Sequence, residues 1–274
     1  MPDSPSPEES REIADAIAAG RKIEAIRICR RATKKDLKAA KEFVEALAAE
    51  LDALGWRCAV ETNDEAAEVE KRSAAIQKTD IALLIFTSGT TGLPKGATLT
   101  HFNVLNNGYF TGEAMKLTAR DRLCIPVPLY HCFGMVLGKL ACVSTGAAAI
   151  FPADAFEAES VLEAVQAERA TALHGVPTMF IAELEEPDFK SFDLSSLRTG
   201  IMAGSICPAE VMKKVNGKMH MKEVQIAYGM TETSPVSTQT SSLDPFEKQV
   251  TTVGRTQPNL ETKIVDPGTG NVMP

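Results

Sequence analysis

Apolar residues recur at helical spacing in the first part of the chain. Between residues 21 and 54 they fall three or four positions apart, which is the stripe that an amphipathic helix buries. A polar break at residues 33–35 predicts two helices joined by a turn, and Gly55 is suited to end the second helix in a left-handed cap. We therefore expect a helical hairpin over residues 21–55, preceded by a disordered stretch at 1–20 and followed by a linker at 56–79.

From residue 80 onward, short apolar runs alternate with longer helical patterns. The short runs predict strands at residues 81–86, 123–127, 148–151, 171–173, 199–203 and 224–227. The longer patterns predict helices at residues 103–116, 133–144, 157–168, 178–186 and 208–217. Strand and helix units that repeat about every 25 residues are typical of an α/β fold with a largely parallel sheet. Beyond residue 250 the pattern predicts a β-rich end, with extended segments at 251–253 and 262–265.

The charge of the chain limits the classes of molecule that we expect it to bind. Its 274 residues carry 29 Lys and Arg against 36 Asp and Glu, and the formal net charge of -7 argues against broad binding to nucleic acid or anionic membrane. The stretch 21–41 differs, because nine Lys and Arg stand there against two acidic residues. This stretch predicts either a solvated helix face or a contact with an acidic partner.

The start of the sequence and its cysteines indicate a cytoplasmic protein. Residues 1–12 are acidic and rich in Pro and Ser, without the basic and apolar regions of a secretory signal. The longest uninterrupted apolar run, at 81–86, is much shorter than a membrane span. The six cysteines form no C-x-x-C pair, so we expect reduced thiols and no membrane-spanning helix.

The strongest chemical signal is the segment TSGTTGLPKG, which begins at Thr87 directly after the first strand. Its glycines allow tight turns that aim several N–H groups inward, its hydroxyls add donors, and its lysine adds a positive charge. It is not a Walker A loop, because that motif would need glycine at Pro94. A mobile Gly and Thr turn is the alternative. The candidate phosphate-binding residues are Thr87, Ser88, Gly89, Thr90, Thr91, Gly92, Leu93, Pro94 and Lys95.

This segment resembles the phosphate loop of the AMP-forming adenylate synthetases, the superfamily of acyl-CoA synthetases, luciferases and peptide-synthetase adenylation domains. The segments VPLYHCFGM, RTGIMAGSICP and YGMTETSP, at 127–135, 198–208 and 228–235, resemble three further motifs of that superfamily in the same order. The resemblance covers residues 74–274 and is greatest to medium-chain fatty acyl-CoA synthetases. It implies that residues 80–274 form an incomplete large N-terminal domain of the adenylate-forming fold, the AMP-binding domain.

The resemblance implies a role for each matching residue. His131 would lie near the substrate carboxylate, Tyr228 would stack on adenine, and Glu232 would hold Mg²⁺. The implied catalytic residues are His131, Thr231 and Lys95. The implied nucleotide-binding residues outside the phosphate loop are Gly204, Ser205, Ile206, Tyr228, Gly229, Met230 and Thr231.

The implied reaction is the activation of a carboxylic acid, here a medium-chain fatty acid. ATP and Mg²⁺ would convert the acid to an acyl-adenylate, and coenzyme A would then take the acyl group as a thioester. Members of the family are longer than this chain, and we found no match for their ribose-binding aspartate or their C-terminal lysine. We therefore expect activity to be impaired unless a partner chain supplies the missing domain. A non-catalytic protein that binds ATP or an acyl-adenylate is the alternative.

Single residues of these motifs also have ordinary structural interpretations. Tyr228 taken alone could be a half-buried core tyrosine, and His131 a structural histidine. Cys132 beside it could suggest a nucleophile, but the sequence indicates no base to activate it. No G-x-S-x-G elbow occurs, so a hydrolase is not supported.

The hairpin segment has a resemblance of its own. Residues 22–47 resemble the helix-turn-helix part of the C-terminal domain of ribosomal protein L7/L12. Lys34 and Lys35 stand where that family has glycines in the turn. The resemblance implies a possible association with the ribosome.

Overall fold

The computed structural model describes residues 13, 16, 22–33, 38, 40–42, 44–45, 73–87 and 95–273. The chain divides into two compact units, Met1–Ile76 and Gln77–Pro274. Each unit is described by itself. Gly55 and most of the predicted linker lie outside the described residues.

The first unit contains the first predicted helix as α1, Lys22–Thr33. Ala25, Ile26, Ile28 and Cys29 are buried in this helix. Cys29 lies four positions after Ala25 and three after Ile26, which is the spacing of a buried helix face. The described residues between 38 and 45 are also helical, where the second helix was predicted. Ile13 and Ala16 are helical and buried, although the stretch 1–20 was expected to be disordered.

The second unit is built on a seven-stranded sheet of β3 Arg122–Cys124, β4 Ala148–Ile150, β5 Ala172–Leu173, β6 Thr199–Ala203, β7 Glu223–Gly229, β8 Val236–Gln239 and β9 Arg255–Thr256. Their order in the sheet is β4-β3-β5-β6-β7-β8-β9. The first five of these strands run parallel, and β8 and β9 run antiparallel to their neighbours. The largely parallel sheet is confirmed, with small differences at the strand ends.

The strand predicted at 81–86 lies outside this sheet. It forms β1, Ile81–Thr87, and pairs antiparallel with an unpredicted strand, β2, Lys95–Thr100. The two strands are separated by residues 88–94, which is shorter than the dozen or so residues that a parallel crossover requires. Strand β2 was not predicted because only Ala97 and Leu99 mark its buried face.

Helices cover the sheet of the second unit. The α-helices are α2 His101–Ala114, α3 Ala141–Thr145, α4 Ala158–Glu168, α5 Pro177–Glu185, α6 Ala209–Lys218 and α7 Phe246–Thr251. Short 3-10 turns lie at Phe189–Ser191 and Thr231–Thr233. Helix α2 begins with a capping box, in which Thr100 and Asn103 each bond the other's backbone N–H. Among the described residues, no helix is long and apolar enough to cross a bilayer.

The helix predicted at 133–144 divides in two. Its first part is a π-helix, Phe133–Leu140, and α3 follows it directly. Two glycines let the π-helix pack closely: a Cβ on Gly134 would lie 2.4 Å from the Pro128 carbonyl oxygen, and one on Gly138 would lie 2.9 Å from Ile125. Single π-helical turns are rare and often occur at functional sites.

The β-rich end predicted beyond residue 250 was largely wrong. Residue 251 ends helix α7, the only strand there is the two-residue β9, and residue 265 forms a single bridge to residue 272 within the described part of the chain. Helix α7 is fixed by Gln249, whose side chain donates to the carbonyls of Ser241 and Asp244. Such side-chain bonds to a preceding loop leave no trace in hydrophobic periodicity.

Candidate active site

A cavity of about 370 Å³ opens at the carboxyl ends of the parallel strands β6 and β7. Ligands in open α/β sheets bind at this edge, because the loops that follow the strands converge there. Its polar residues are Thr87, His131, Cys132, Tyr228, Thr231 and Glu232, and its apolar wall is formed by Phe133, Leu137, Ala203, Ala227, Met230, Pro235 and Val236.

The cavity brings together residues from each of the four sequence motifs. Thr87 comes from the predicted phosphate loop, His131 from the second segment, Gly204 from the third and Tyr228 to Glu232 from the fourth. Ser205 and Ile206, predicted with Gly204, do not line the cavity, and the side chain of Ile206 is 91% exposed.

The phosphate loop itself is described only at its two ends. Ser88, Gly89, Thr90, Thr91, Gly92, Leu93 and Pro94 lie outside the described residues, and only the backbone of Lys95 is described. Thr87 pairs with Lys95 across β1 and β2, so both ends of the loop start from one hairpin. The Thr87 hydroxyl donates to Glu232 Oε1 at 3.4 Å, which places this hairpin beside the fourth motif.

Glu232 sits in a tightly closed loop between β7 and β8. The Met230 N–H donates to the Pro235 carbonyl at 3.0 Å, and the Thr233 hydroxyl donates to the same oxygen at 2.6 Å. Gly229 permits this closure, since a Cβ there would lie 1.8 Å from the Pro235 oxygen. The loop thereby holds Thr231 and Glu232 at the cavity.

His131 has one ring nitrogen fixed by the backbone. The Phe133 N–H donates to His131 Nδ1 at 3.0 Å, so Nδ1 is an acceptor and the neutral ring carries its proton on Nε2. A histidine in this tautomer offers an N–H donor from Nε2. That donor suits an anionic or carbonyl oxygen.

Cys132 lies between two predicted catalytic residues. Its Sγ is 3.8 Å from His131 Nδ1 and 3.7 Å from Thr231 Oγ1. Burial raises the pKa of the Cys132 thiol, which disfavours the thiolate that a nucleophile needs. The structure therefore agrees with the sequence argument against a catalytic cysteine.

Tyr228 is 51% exposed and lines the cavity, so it is not a core tyrosine. Its ring offers an apolar face at the cavity wall, which suits a purine.

The donor set at the cavity fits Mg²⁺. Glu232 supplies one exposed carboxylate, and Thr87 and Thr231 supply hydroxyls. In the described part of the chain no three His, Cys, Asp or Glu residues cluster as a metal cage. Magnesium typically binds through one or two carboxylates together with substrate phosphates and water, and so needs no such cage.

Beneath the cavity lies a histidine that sequence reasoning missed. His174 is fully buried, accepts the Ile201 N–H at Nδ1 (3.1 Å) and donates from Nε2 to the Leu137 carbonyl (3.0 Å). It therefore joins the π-helix to strand β6. Burial lowers the pKa of His174 to about 4, so the ring is neutral at pH 7.

Comparison with known proteins decides the family. The family model described as "AMP-binding enzyme" matches residues 9–274. This chain belongs to the AMP-binding enzyme family. The match begins before the hairpin segment, and the comparisons give no support to the L7/L12 resemblance.

Relatives of known name agree with this assignment. YngI of Bacillus subtilis (strain 168) is 59% identical over 203 residues, which are 74% of this chain and 37% of that protein. The medium-chain acyl-CoA ligase ACSF2 of Danio rerio, named as mitochondrial, is 49% identical over 191 residues, 69% of this chain and 32% of that ligase. The chain thus spans about a third of the length of these relatives.

Solved structures of AMP-binding enzymes share the fold. The anthranilate CoA ligase AuaEII, in complex with anthranoyl-AMP, matches with a TM-score of 0.65 and 27% identity over 72% of this chain and 38% of the ligase. ATP-bound MatB from Rhodopseudomonas palustris matches with a TM-score of 0.62 and 27% identity over 73% of this chain and 38% of MatB. The fold is therefore a part of the adenylate-forming N-terminal domain, as the sequence predicted.

Proposed function

We propose that this chain activates a carboxylic acid with ATP to an acyl-adenylate and then transfers the acyl group to coenzyme A as a thioester. The observation that carries the proposal is the single cavity at which Thr87, His131, Tyr228, Thr231 and Glu232 meet. The relative ACSF2 is named as a medium-chain acyl-CoA ligase, which supports the formation of an acyl-CoA thioester by this chain.

In this proposal the nucleotide lies across the ends of β6 and β7. The Tyr228 ring covers the adenine, with the Gly204 backbone at the other side of the base. Thr231 contacts the α-phosphate, and the loop from Thr87 to Lys95 holds the pyrophosphate that leaves. Glu232 takes the metal ion, because it is the exposed carboxylate at the phosphate end of the cavity.

The chemical step joins two anions. A carboxylate oxygen attacks the α-phosphorus while the bond from that phosphorus to the pyrophosphate oxygen breaks. Mg²⁺ supplies the positive charge that offsets the repulsion between these groups. His131 orients the carboxylate through its Nε2 proton, since Nδ1 is already engaged by the Phe133 N–H. The thiol sulfur of coenzyme A then attacks the acyl carbon, and AMP leaves.

The apolar wall of the cavity supports a fatty acid as the substrate. Phe133, Leu137 and Val236 are each at most 5% exposed and face the cavity together with small residues of the strand ends. An alkyl chain would replace water along this wall, at a gain of about 25 cal/mol per Å² of apolar surface removed from water. We propose a medium-chain acid, in keeping with the name of ACSF2.

ATP–pyrophosphate exchange across fatty acids of increasing length tests the proposal. Exchange should require a fatty acid and should fall at least about 100-fold in Glu232→Ala, because an electrostatic contact to the transition state is lost. Glu247→Ala, which changes an exposed carboxylate on helix α7, should keep the wild-type rate.

Two results would contradict the proposal. Equal exchange in Glu232→Ala and the wild type would remove Glu232 from the site. Binding of ATP without any exchange, in protein shown to be folded, would favour the nucleotide-binding alternative. The predicted impairment of this chain by itself remains a prediction, which the rate of the same assay measures.

A further inference from the structure

A buried asparagine outside the cavity forms hydrogen bonds with the first residue of β8, the strand that follows the Glu232 loop. Asn107 lies in helix α2 with 6% of its surface exposed. Its Nδ2 donates to the Val236 carbonyl at 2.9 Å, and its Oδ1 accepts the Val236 N–H at 3.0 Å. The side-chain amide thus satisfies both backbone groups of one residue.

Val236 is the residue on which the closed loop ends. It is the first residue of β8, it is 2% exposed, and it pairs with Gly229 across β7 and β8. The loop between these two paired residues carries Thr231 and Glu232. Gly229 and Val236 are therefore the paired residues between which the Glu232 loop is held.

Helix α2 also begins directly after the phosphate-loop hairpin. Thr100 ends β2 and caps α2, so the helix is continuous with the strand that leaves the phosphate loop. The Thr87 to Glu232 hydrogen bond connects the other strand of the hairpin to the Glu232 loop. Asn107 and Thr87 thus tie the Glu232 loop to the hairpin and its helix at two separate places.

We propose that Asn107 is a positioning residue that holds Glu232, through Val236, where it binds the Mg²⁺ of Mg-ATP. The proposal rests on the proposed function. Asn107 does not line the cavity, so it acts on the metal ligand and not on the nucleotide. Loss of its side chain leaves the buried N–H and carbonyl of Val236 without these partners, and the loop must shift to find others.

The test is calorimetric binding of ATP with Mg²⁺, of ATP with EDTA, and of AMP. The Mg²⁺ effect is the ratio of the Kd for ATP with EDTA to the Kd for ATP with Mg²⁺. In Asn107→Ala this ratio should fall about 10-fold or more, which is the range found when residues that orient metal ligands are changed. AMP binding should fall by less than the Mg²⁺ effect, because Tyr228 and Gly204 are not held by this asparagine and only the Thr231 contact to the phosphate shifts with the loop. Asn107→Asp keeps the acceptor for the Val236 N–H but sets a carboxylate oxygen against the Val236 carbonyl, so it should lose the Mg²⁺ effect as well.

Asn106→Ala is the matched control. Asn106 is the neighbouring residue of the same helix, and its side chain donates only to the Phe102 carbonyl within that helix in the described structure. It should keep the full Mg²⁺ effect, whereas Glu232→Ala should abolish it.

Three results would overturn the inference. A wild-type Mg²⁺ effect in both Asn107 variants would show that the contact to Val236 does not position Glu232. An equal loss of AMP and Mg-ATP binding would show a general structural role instead. Absence of Mg-ATP binding by the wild type would contradict the proposed function and this inference with it.

Discussion

At the scale of single residues, hydrogen bonds to the backbone fix the tautomers of two histidines, His131 in the cavity and His174 behind its wall. His131 accepts the Phe133 N–H at Nδ1, which leaves Nε2 as the donor that the proposed function assigns to the substrate carboxylate. His174 uses both nitrogens, for Ile201 and Leu137. In each case a backbone N–H bonds Nδ1, so the neutral ring carries its proton on Nε2.

His174 predicts a pH dependence of stability. Its pKa is about 4 in the folded chain against 6.5 for an ordinary histidine, so the unfolded chain binds a proton first as the pH falls. The contribution of the neutral ring is fully present above pH 6.5 and is lost between pH 6.5 and pH 4. The loss is on the order of 3 kcal/mol.

Urea unfolding of the wild type and His174→Gln over this pH range checks the prediction. The wild type should be the more stable at pH 7, and its advantage should shrink steadily toward pH 4. His220→Asn, a change at an exposed histidine with a left-handed backbone, serves as the control and should show no such trend. A constant difference between the wild type and His174→Gln would show that His174 is not held neutral by burial.

At the scale of elements, the π-helix after His131 shapes one side of the cavity. Phe133 and Leu137 line the cavity from this helix, and Gly134 lets its first turn lie against the Pro128 carbonyl. A side chain at that glycine cannot be accommodated without moving backbone. The close approach therefore fixes where the cavity wall stands.

A pair of glycine substitutions tests this packing. Gly134→Ala should destabilise the chain by about 1–3 kcal/mol, because its Cβ would overlap the Pro128 backbone. Gly217→Ala, in helix α6 with nothing near its Cβ position, should stabilise it by about 0.5–1 kcal/mol. Thermal unfolding of the two variants measures both effects, and equal shifts in the same direction would contradict the packing described.

Elements built from a continuous apolar run were predictable from the sequence. Strand β6 has the predicted bounds, 199–203, because a strand buried on both faces needs apolar or small residues at every position. Strand β2 and helix α7 were missed because their positions depend on pairing with β1 and on the Gln249 contacts. These depend on tertiary contacts that a local pattern does not contain.

At the scale of the whole molecule, the four sequence motifs converge although Thr87 in the first and Glu232 in the last stand 145 positions apart. Their order in the sequence was enough to indicate an AMP-binding enzyme, and the family comparison confirms it. Asn107 and His174 could not be found in this way. Asn107 bonds a residue 129 positions away, and neither residue belongs to a motif.

The division of the chain at residues 21–55 and 56–79 remains a prediction. The structure separates two compact units between Ile76 and Gln77. Deletion of residues 1–55 tests ribosome association through the basic stretch at 21–41, because that association requires co-sedimentation with ribosomes to vanish in the deletion variant.

In the proposed function, a carboxylate attacks the α-phosphorus of ATP at this cavity. The most direct measurement uses a medium-chain fatty acid labelled with ¹⁸O in its carboxylate, ATP, Mg²⁺ and hydroxylamine, which attacks the acyl carbon and releases AMP. We expect one ¹⁸O atom in the AMP by mass spectrometry, and at least about 100-fold slower formation of labelled AMP in the Glu232→Ala reaction. Formation of the hydroxamate with unlabelled AMP, or with the label in phosphate, would contradict the account.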